Sequence, residues 1–315
     1  MIGGFLGTLI GLERAVALGW RWAYCAPLFA AVGGLTLLLD LHPDAGHFLM
    51  VLGSLFLISI SLVLCHLQPT GFMATMGLGA VLWFVGNLLW TVDFPLYQVV
   101  PWWIGFLVLT IAGERLEMTR LMHLSIWNRV GFALSISFFL LGLALSLIAF
   151  QLGLQLSGIG LLALALWLLY YDIAWRTVRH VGLPRYTAVC LLTGYVWLGV
   201  GGVLWLLFAH SFIAGPHYDA MLHVVFLGFV FSMIFGHAPI ILPSITGVAL
   251  PFREAFYIHF GLLHLSLLLR VAGDLGAWMP AQRWGGLLGV LAILLFLANN
   301  VRAVRLGQSS GVKSA

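Results

Sequence analysis

The chain has 315 residues, of which 62% are hydrophobic and only 8% are charged. A soluble domain carries charge on about a quarter of its residues, and apolar runs recur here from one end of the chain to the other, so a soluble enzyme with a single anchor is excluded. The formal charge of +4 comes from scattered basic residues. Because these form no patch, and no phosphate-binding or dinucleotide motif is present, neither nucleic acid nor a nucleotide is an expected partner.

About 20 apolar residues are needed to cross a bilayer as a helix. By that criterion the sequence predicts an all-α polytopic membrane protein with about eleven transmembrane helices, surrounded by the lipid bilayer. The predicted spans are 1–18, 23–40, 47–66, 72–92, 97–117, 130–150, 156–177, 186–209, 217–239, 253–272 and 283–303. Pro239 is expected to end the ninth span, because proline lacks the helical N–H donor and clashes with the preceding turn. A proline-rich loop over residues 236–251 would follow.

The basic residues sort onto one side of this topology. Arg270 and Arg283 fall on one face, and the other twelve of the 14 Lys and Arg residues fall on the opposite face. Those twelve are Arg14, Arg21, Arg115, Arg120, Arg129, Arg176, Arg179, Arg185, Arg253, Arg302, Arg305 and Lys313. The positive-inside rule makes the Arg-rich face cytoplasmic. The C-terminus is therefore predicted to be cytoplasmic, with residues 306–315 as a flexible tail.

Three ungapped segments of the sequence resemble one another. They begin at Gly4, Gly105 and Gly228, and each opens with Gly-Phe and has Ile at its seventh place. The tenth places hold polar residues, which are Glu13, Glu114 and His237. Since the segments fall on predicted spans one, five and nine, they indicate three four-helix repeats, one of them incomplete. The repeat units are residues 1–96, 97–215 and 216–305.

Structural repeats of membrane proteins pack around a pseudo-symmetry axis, with ligand sites between them. We therefore expect Glu13, Glu114 and His237 to share one depth. One interpretation is a metal, proton or anion site built from two carboxylates and an imidazole. The other is that Glu13 with Arg14, and Glu114 with Arg115, form ion pairs at the membrane boundary, where charges reach water at little cost.

Four of the eleven histidines lie inside two consecutive predicted spans, and His217 stands at the very start of the first of these. His223 and His237 are 14 residues apart on the ninth span, about four turns and about 21 Å, so they face roughly the same way and cannot share one ion. The tenth span runs antiparallel and carries His259 and His264. His237 then matches His259 in depth, and His223 matches His264. Either cross-pair is a predicted haem b site, because imidazoles on facing helices bind haem iron; hydrogen-bonded structural histidines are the alternative.

The sequence HVVFLGFVFSMIFGHAPIILP at residues 223–243, and the early segment GxLIGLERAVALG, resemble the NnrS family of haem- and copper-associated bacterial membrane proteins. The four-helix periodicity more distantly resembles subunit I of the haem-copper oxidases. The resemblance implies a bacterial inner-membrane location, haem b ligation by some of the histidines, an association with copper, and a role in nitric oxide or respiratory redox chemistry beside other respiratory membrane subunits. No His-His, His-x-His or His-Pro-Glu-Val-Tyr motif is present, so the oxygen-reducing binuclear centre is not encoded.

Three functions remain open at this point. A haem-binding redox or sensor protein follows from the histidines and the resemblance. A transporter or channel follows from the repeats and the charged positions between them. A structural subunit of a larger membrane complex follows from the lack of any soluble domain or long loop able to bind a partner.

Overall fold

The computed structural model of the protein describes residues 2–119 and 125–311, and for Ile2, Ile245, Thr246 and residues 306–311 it describes the backbone alone. The described residues form helices and no strand, which confirms the all-α fold class. The helices are α1 Ile2–Leu18, α2 Cys25–Leu38, α3 Pro43–Leu67, α4 Gly71–Thr91, α5 Leu96–Met118, α6 Ile126–Ser146, α7 Phe150–Tyr171, α8 Ala174–Thr177, α9 Leu183–Phe208, α10 Pro216–His223, α11 Phe231–Thr246, α12 Phe256–Leu275 and α13 Met279–Gly311.

Ten helical stretches of the described chain are long and apolar enough to cross a membrane. The protein is therefore a multi-pass membrane protein. The one predicted span outside these ten is the first, 1–18, which corresponds to α1 with its 17 described residues. All eleven predicted spans are helical, with boundaries displaced by up to eight residues, because hydropathy marks the apolar run and does not mark the turn that ends it.

The expectation that Pro239 ends its helix is wrong. α11 continues through Pro239 and Pro243 and ends at Gly247, which has the left-handed backbone conformation typical of a C-cap. Proline inside a membrane helix is tolerated where a neighbouring side chain satisfies the loosened backbone. Thr187 of α9 makes such a contact in the turn before Pro239: its hydroxyl donates to the carbonyl of Gly236, at 2.9 Å, next to the carbonyl of Phe235 that Pro239 leaves without its helical donor.

A π-helix over Val224–Val230 joins α10 to α11, so the three segments form one continuous helix. π segments are rare and often lie at functional sites. Because this one separates His223 from His237, the prediction that they face the same way, which assumed α-helical spacing throughout, no longer applies. At the other end of the chain, α13 extends to Gly311, so the predicted flexible tail is helical over residues 306–311; residues 312–315 lie outside the described residues.

The chain forms two compact units, Met1–His123 and Leu124–Ala315. A division into two units does not test whether three repeats are related by a rotation, so the threefold repeat stays a prediction.

In the first unit, α1 to α5 are joined by short connections. Asn87 of α4 is buried and ties three of these helices together, because it donates to the carbonyl of Met50 on α3 at 3.1 Å and accepts from the indole of Trp103 on α5 at 3.0 Å.

In the second unit, α6 and α7 pack as a hairpin, α7 packs on α9, and α12 packs on α13. The helix containing the π segment lies against α9 and α12. An aromatic cluster fills the space between α9, α11, α12 and α13. It consists of the buried side chains of Tyr186, Phe235, Phe256, Phe260 and Phe296. This cluster surrounds His259, the one of the four candidate haem ligands that is fully buried.

Candidate functional site

The first unit brings two of the three repeat-marked residues together. Arg14 of α1 donates to Glu114 of α5, with 3.1 Å between Nη2 and Oε1, and the same nitrogen lies 3.8 Å from Oε1 of Glu13. Glu13 and Glu114 therefore lie beside the same arginine, and the expectation that they share one depth with His237 stays a prediction. The ion pair joins the two helices, so the expectation that each glutamate pairs with the arginine that follows it holds for Glu13 alone.

Arg115 shows why the second predicted pair fails. Its side chain is 8% exposed, and it makes no ion pair within the described residues. Its Nε atom is buried and has no hydrogen-bond partner among those residues. Consecutive residues on a helix point about 100° apart, so Arg115 cannot follow the carboxylate of Glu114 toward α1.

His237, the third repeat-marked residue, lies on α11 in the second unit. Within residues 2–119 and 125–311, no group of three or more His, Cys, Asp or Glu side chains is arranged to hold a metal ion. The metal site at Glu13, Glu114 and His237 stays a prediction.

His259 of α12 uses both of its ring nitrogens in hydrogen bonds. Nε2 lies 3.2 Å from the hydroxyl of Tyr186 on α9, and Nδ1 lies 3.0 Å from the amide nitrogen of Asn299 on α13. The ring of Phe235 packs edge-on against the imidazole, with 4.9 Å between centroids. A haem iron could bind His259 only if one of the two hydrogen bonds broke.

His264, one and a half turns further along α12, is fixed in one tautomer. The indole Nε1–H of Trp197 donates to its Nδ1 at 2.9 Å. Because an indole N–H only donates, Nδ1 carries the lone pair and the neutral ring carries its proton on Nε2. That Nε2 is buried and has no partner among the described residues. A protonated nitrogen cannot bind iron, so neither nitrogen of His264 is available as a ligand.

His223 and His237 are held in the opposite tautomer. Nδ1–H of His223 donates to the backbone carbonyl of Asp219 at 2.6 Å, and Nδ1–H of His237 donates to that of Met233 at 2.8 Å. A carbonyl oxygen only accepts, so in each neutral ring the lone pair is on Nε2. Metal-bound histidines are held in this way, with the second ring nitrogen donating to a carbonyl or carboxylate.

A charged cluster that the sequence analysis did not assemble lies beside His223. Arg270 of α12 donates to Asp219 of α10 and to Asp274 of its own helix, both at 3.1 Å. Asp274 is 2% exposed, and its Oδ1 is buried without a hydrogen-bond partner among the described residues. His223 is close enough to interact electrostatically with Asp274. The signal was present, because Arg270 and Asp274 are four residues apart, the spacing of helical ion pairs.

Another buried carboxylate, Asp172, lies between α7 and α8. Asp172 is 1% exposed; its Oδ2 accepts from the hydroxyl of Tyr195 at 2.9 Å, and its Oδ1 accepts from the backbone N–H of Ala174 at 2.7 Å. The sequence analysis gave no role to this pairing. Its two hydrogen bonds connect the start of α8 to α9.

Comparison with known proteins gives one finding. The model of a protein family described as a domain of unknown function, DUF8744, matches residues 1–305. The chain belongs to this family. No curated protein and no solved structure matches it. His223 and His237 each bond to a backbone carbonyl of their own helix, whereas His259 and His264 bond to side chains on neighbouring helices.

Proposed function

We propose that the protein is a haem-binding membrane protein of the bacterial inner membrane, with a role in nitric oxide or respiratory redox chemistry. His223 and His237 lie about 20 Å apart on one continuous helix and cannot bind one iron, so each would supply a single imidazole ligand to its own haem b. The observation that carries this proposal is the pair of hydrogen bonds from Nδ1 to the carbonyls of Asp219 and Met233. Each bond fixes the orientation of its ring and leaves the lone pair on Nε2, the nitrogen that points away from the helix backbone.

The hydrogen bonds speak against both ligand pairs that the sequence left open. The pair of His237 with His259 requires His259 to lose Tyr186 or Asn299. The pair of His223 with His264 requires His264 to lose the donor Trp197. The proposal therefore takes His223 and His237 as ligands and gives His259 and His264 structural roles.

Two further observations support a function at this helix. The π segment begins directly after His223, and such segments often lie at functional sites. The same residues, 223–243, carry the resemblance to the NnrS family. A haem b that takes one imidazole ligand from this helix offers an open position to a gas such as nitric oxide.

The absorption spectrum of the purified full-length protein tests this proposal. The protein is expressed with a haem precursor and extracted in mild detergent, and haem is quantified as its pyridine adduct. A Soret band in the wild type that is lost or shifted in H223Q or H237Q supports the proposal. A well-folded wild type without haem, made in cells that load a control cytochrome, overturns it.

A transporter or channel is the second candidate, because of the cluster at Arg270. Ionisable residues buried in membrane helices are usually functional, and Asp274 is buried with one carboxylate oxygen unpartnered in the described chain. Proteoliposomes loaded with ion-sensitive dyes test it: potential-driven flux of H⁺, Na⁺ or K⁺ that D274N abolishes and D44N leaves intact supports transport. The absence of ion flux in vesicles that contain the wild-type protein contradicts it.

A further inference from the structure

An open pocket of about 400 Å³ lies at the junction of the loop before α12 with the last third of α13. Its polar lining is Arg253, Glu254, Asn299 and Arg302, and its apolar lining includes Phe252 and Phe256. Phe256 is buried in the aromatic cluster. The pocket therefore has a firm apolar floor and a basic rim.

The charge of this rim is not neutralised within the described chain. Arg253, Arg302 and the neighbouring Arg305 are exposed, and none of the ion pairs of the described residues involves them. They oppose the single negative charge of Glu254. The rim thus keeps an excess of positive charge that an anionic ligand would complement.

An apolar groove continues from the pocket along α13. Leu297, Ala298 and Val301 line it together with Arg302 and Arg305, so Arg302 belongs to both the pocket and the groove. Leu297 and Val301 are 53% and 52% exposed. A ligand that fills both spaces must have a negative head and a hydrocarbon chain.

The depth of Arg302 agrees with the position of a phospholipid headgroup. A helix rises about 1.5 Å per residue, so the distance from Met279, where α13 begins, to Arg302 is about 35 Å. The hydrocarbon core of a bilayer is about 30 Å thick. With Met279 at one boundary of the hydrocarbon, Arg302 reaches the headgroups of the other leaflet, and the groove below it lies at the depth of the acyl chains.

We propose that this pocket binds an anionic phospholipid, with its phosphate between Arg253 and Arg302 and an acyl chain along Leu297 and Val301. Basic pockets between membrane helices bind such headgroups, and arginine pairs bidentately with phosphate oxygens. Asn299 lines the same pocket and contacts Nδ1 of His259 at 3.0 Å. A bound lipid would therefore border the hydrogen bonds that hold His259, which is not one of the two proposed haem ligands.

Native mass spectrometry of the purified full-length protein tests the site. Phosphatidylglycerol, phosphatidylethanolamine and phosphatidylcholine are titrated into wild type, R253Q/R302Q and the control R176Q/R179Q. The control removes the same charge from exposed arginines at α8. We expect wild type and control to retain phosphatidylglycerol preferentially. R253Q/R302Q should bind it about 25-fold more weakly, since each arginine near an anionic surface contributes about fivefold, and R253K/R302K should recover part of this.

The remaining outcomes contradict the proposal. Equal weakening in the control would mean that total charge, and not this pocket, attracts the lipid. Equal retention of phosphatidylcholine would mean that only the apolar groove binds. If millimolar inorganic phosphate displaces phosphatidylglycerol, or raises the melting temperature of wild type and not of R253Q/R302Q, the site binds free phosphate instead. In each of these experiments, a normal elution profile for R253Q/R302Q serves to show that the variant is folded.

Discussion

The indole N–H of Trp197 donates to Nδ1 of His264 across the contact between α9 and α12, with 2.9 Å between the nitrogens. The two rings are nearly parallel, at 4°. This one bond fixes the tautomer of His264 and takes it out of the set of haem ligands. It also connects two helices at a depth where few polar contacts are available.

Trp197→Phe is therefore expected to destabilise the protein without lowering its haem content. The lost hydrogen bond leaves Nδ1 of His264 buried without a donor, at a cost of about 1–2 kcal/mol. Thermal unfolding in detergent measures the loss. H264F and W197F/H264F complete a double-mutant cycle, and strictly additive effects would show that the bond contributes nothing.

Arg14→Gln is expected to lower stability by about 1–3 kcal/mol, because it leaves Glu114 without its counter-ion in a partly buried position. E13Q should have a smaller effect, since Glu13 lies 3.8 Å from Arg14 where Glu114 lies 3.1 Å away. R14Q/E114Q should recover part of the loss, because it removes the uncompensated carboxylate. A melting temperature unchanged in R14Q would show that α1 and α5 are held together by apolar packing alone.

Composition was enough to predict the fold class and the eleven spans, since long apolar runs in so hydrophobic a chain have few alternatives to helices. The prediction that Pro239 ends its helix failed because the effect of a proline depends on the residues that pack around it. Thr187, 49 residues away in sequence, donates to the carbonyl of Gly236. Such a contact between distant residues cannot be found from local pattern.

The sequence was enough to identify the histidines of the candidate site, but it did not identify their hydrogen-bond partners. Helical spacing placed four histidines on two helices, but the choice among them depends on which ring nitrogen carries the proton. That is decided by Asp219, Met233, Trp197, Tyr186 and Asn299. None of these partners has a sequence pattern that links it to its histidine, apart from the two carbonyls four residues before His223 and His237.

Gly160→Ala is expected to destabilise the second unit by about 1–3 kcal/mol through overpacking. A Cβ atom there would lie 2.4 Å from the backbone nitrogen of Phe139, in the contact of α7 with α6. Gly261→Ala is the matched control, because nothing lies within 4 Å of its Cβ position. The control should be neutral or more stable, as alanine favours helix over glycine by up to about 1 kcal/mol. Equal melting temperatures for both variants would contradict the close approach of α6 and α7.

The topology gives a prediction that depends only on the basic residues. Twelve of the 14 Lys and Arg residues fall on one predicted face, so a reporter fused after Ala315 is expected to be active on the cytoplasmic side. Paired fusions of alkaline phosphatase and green fluorescent protein distinguish the two sides. Phosphatase activity with a dark fluorescent fusion would reverse the orientation, and with it the side of the membrane on which the arginine pocket lies.

The haem content of two double variants tests the central claim most directly. H223Q/H237Q and H259Q/H264Q each remove two imidazoles. The net charge of the protein stays the same, because glutamine and neutral histidine are both uncharged. If the tautomers identify the ligands, H223Q/H237Q is purified folded and without haem, while H259Q/H264Q keeps wild-type haem per protein and a lower melting temperature. Full haem in H223Q/H237Q, or loss of haem in a folded H259Q/H264Q, would contradict the assignment.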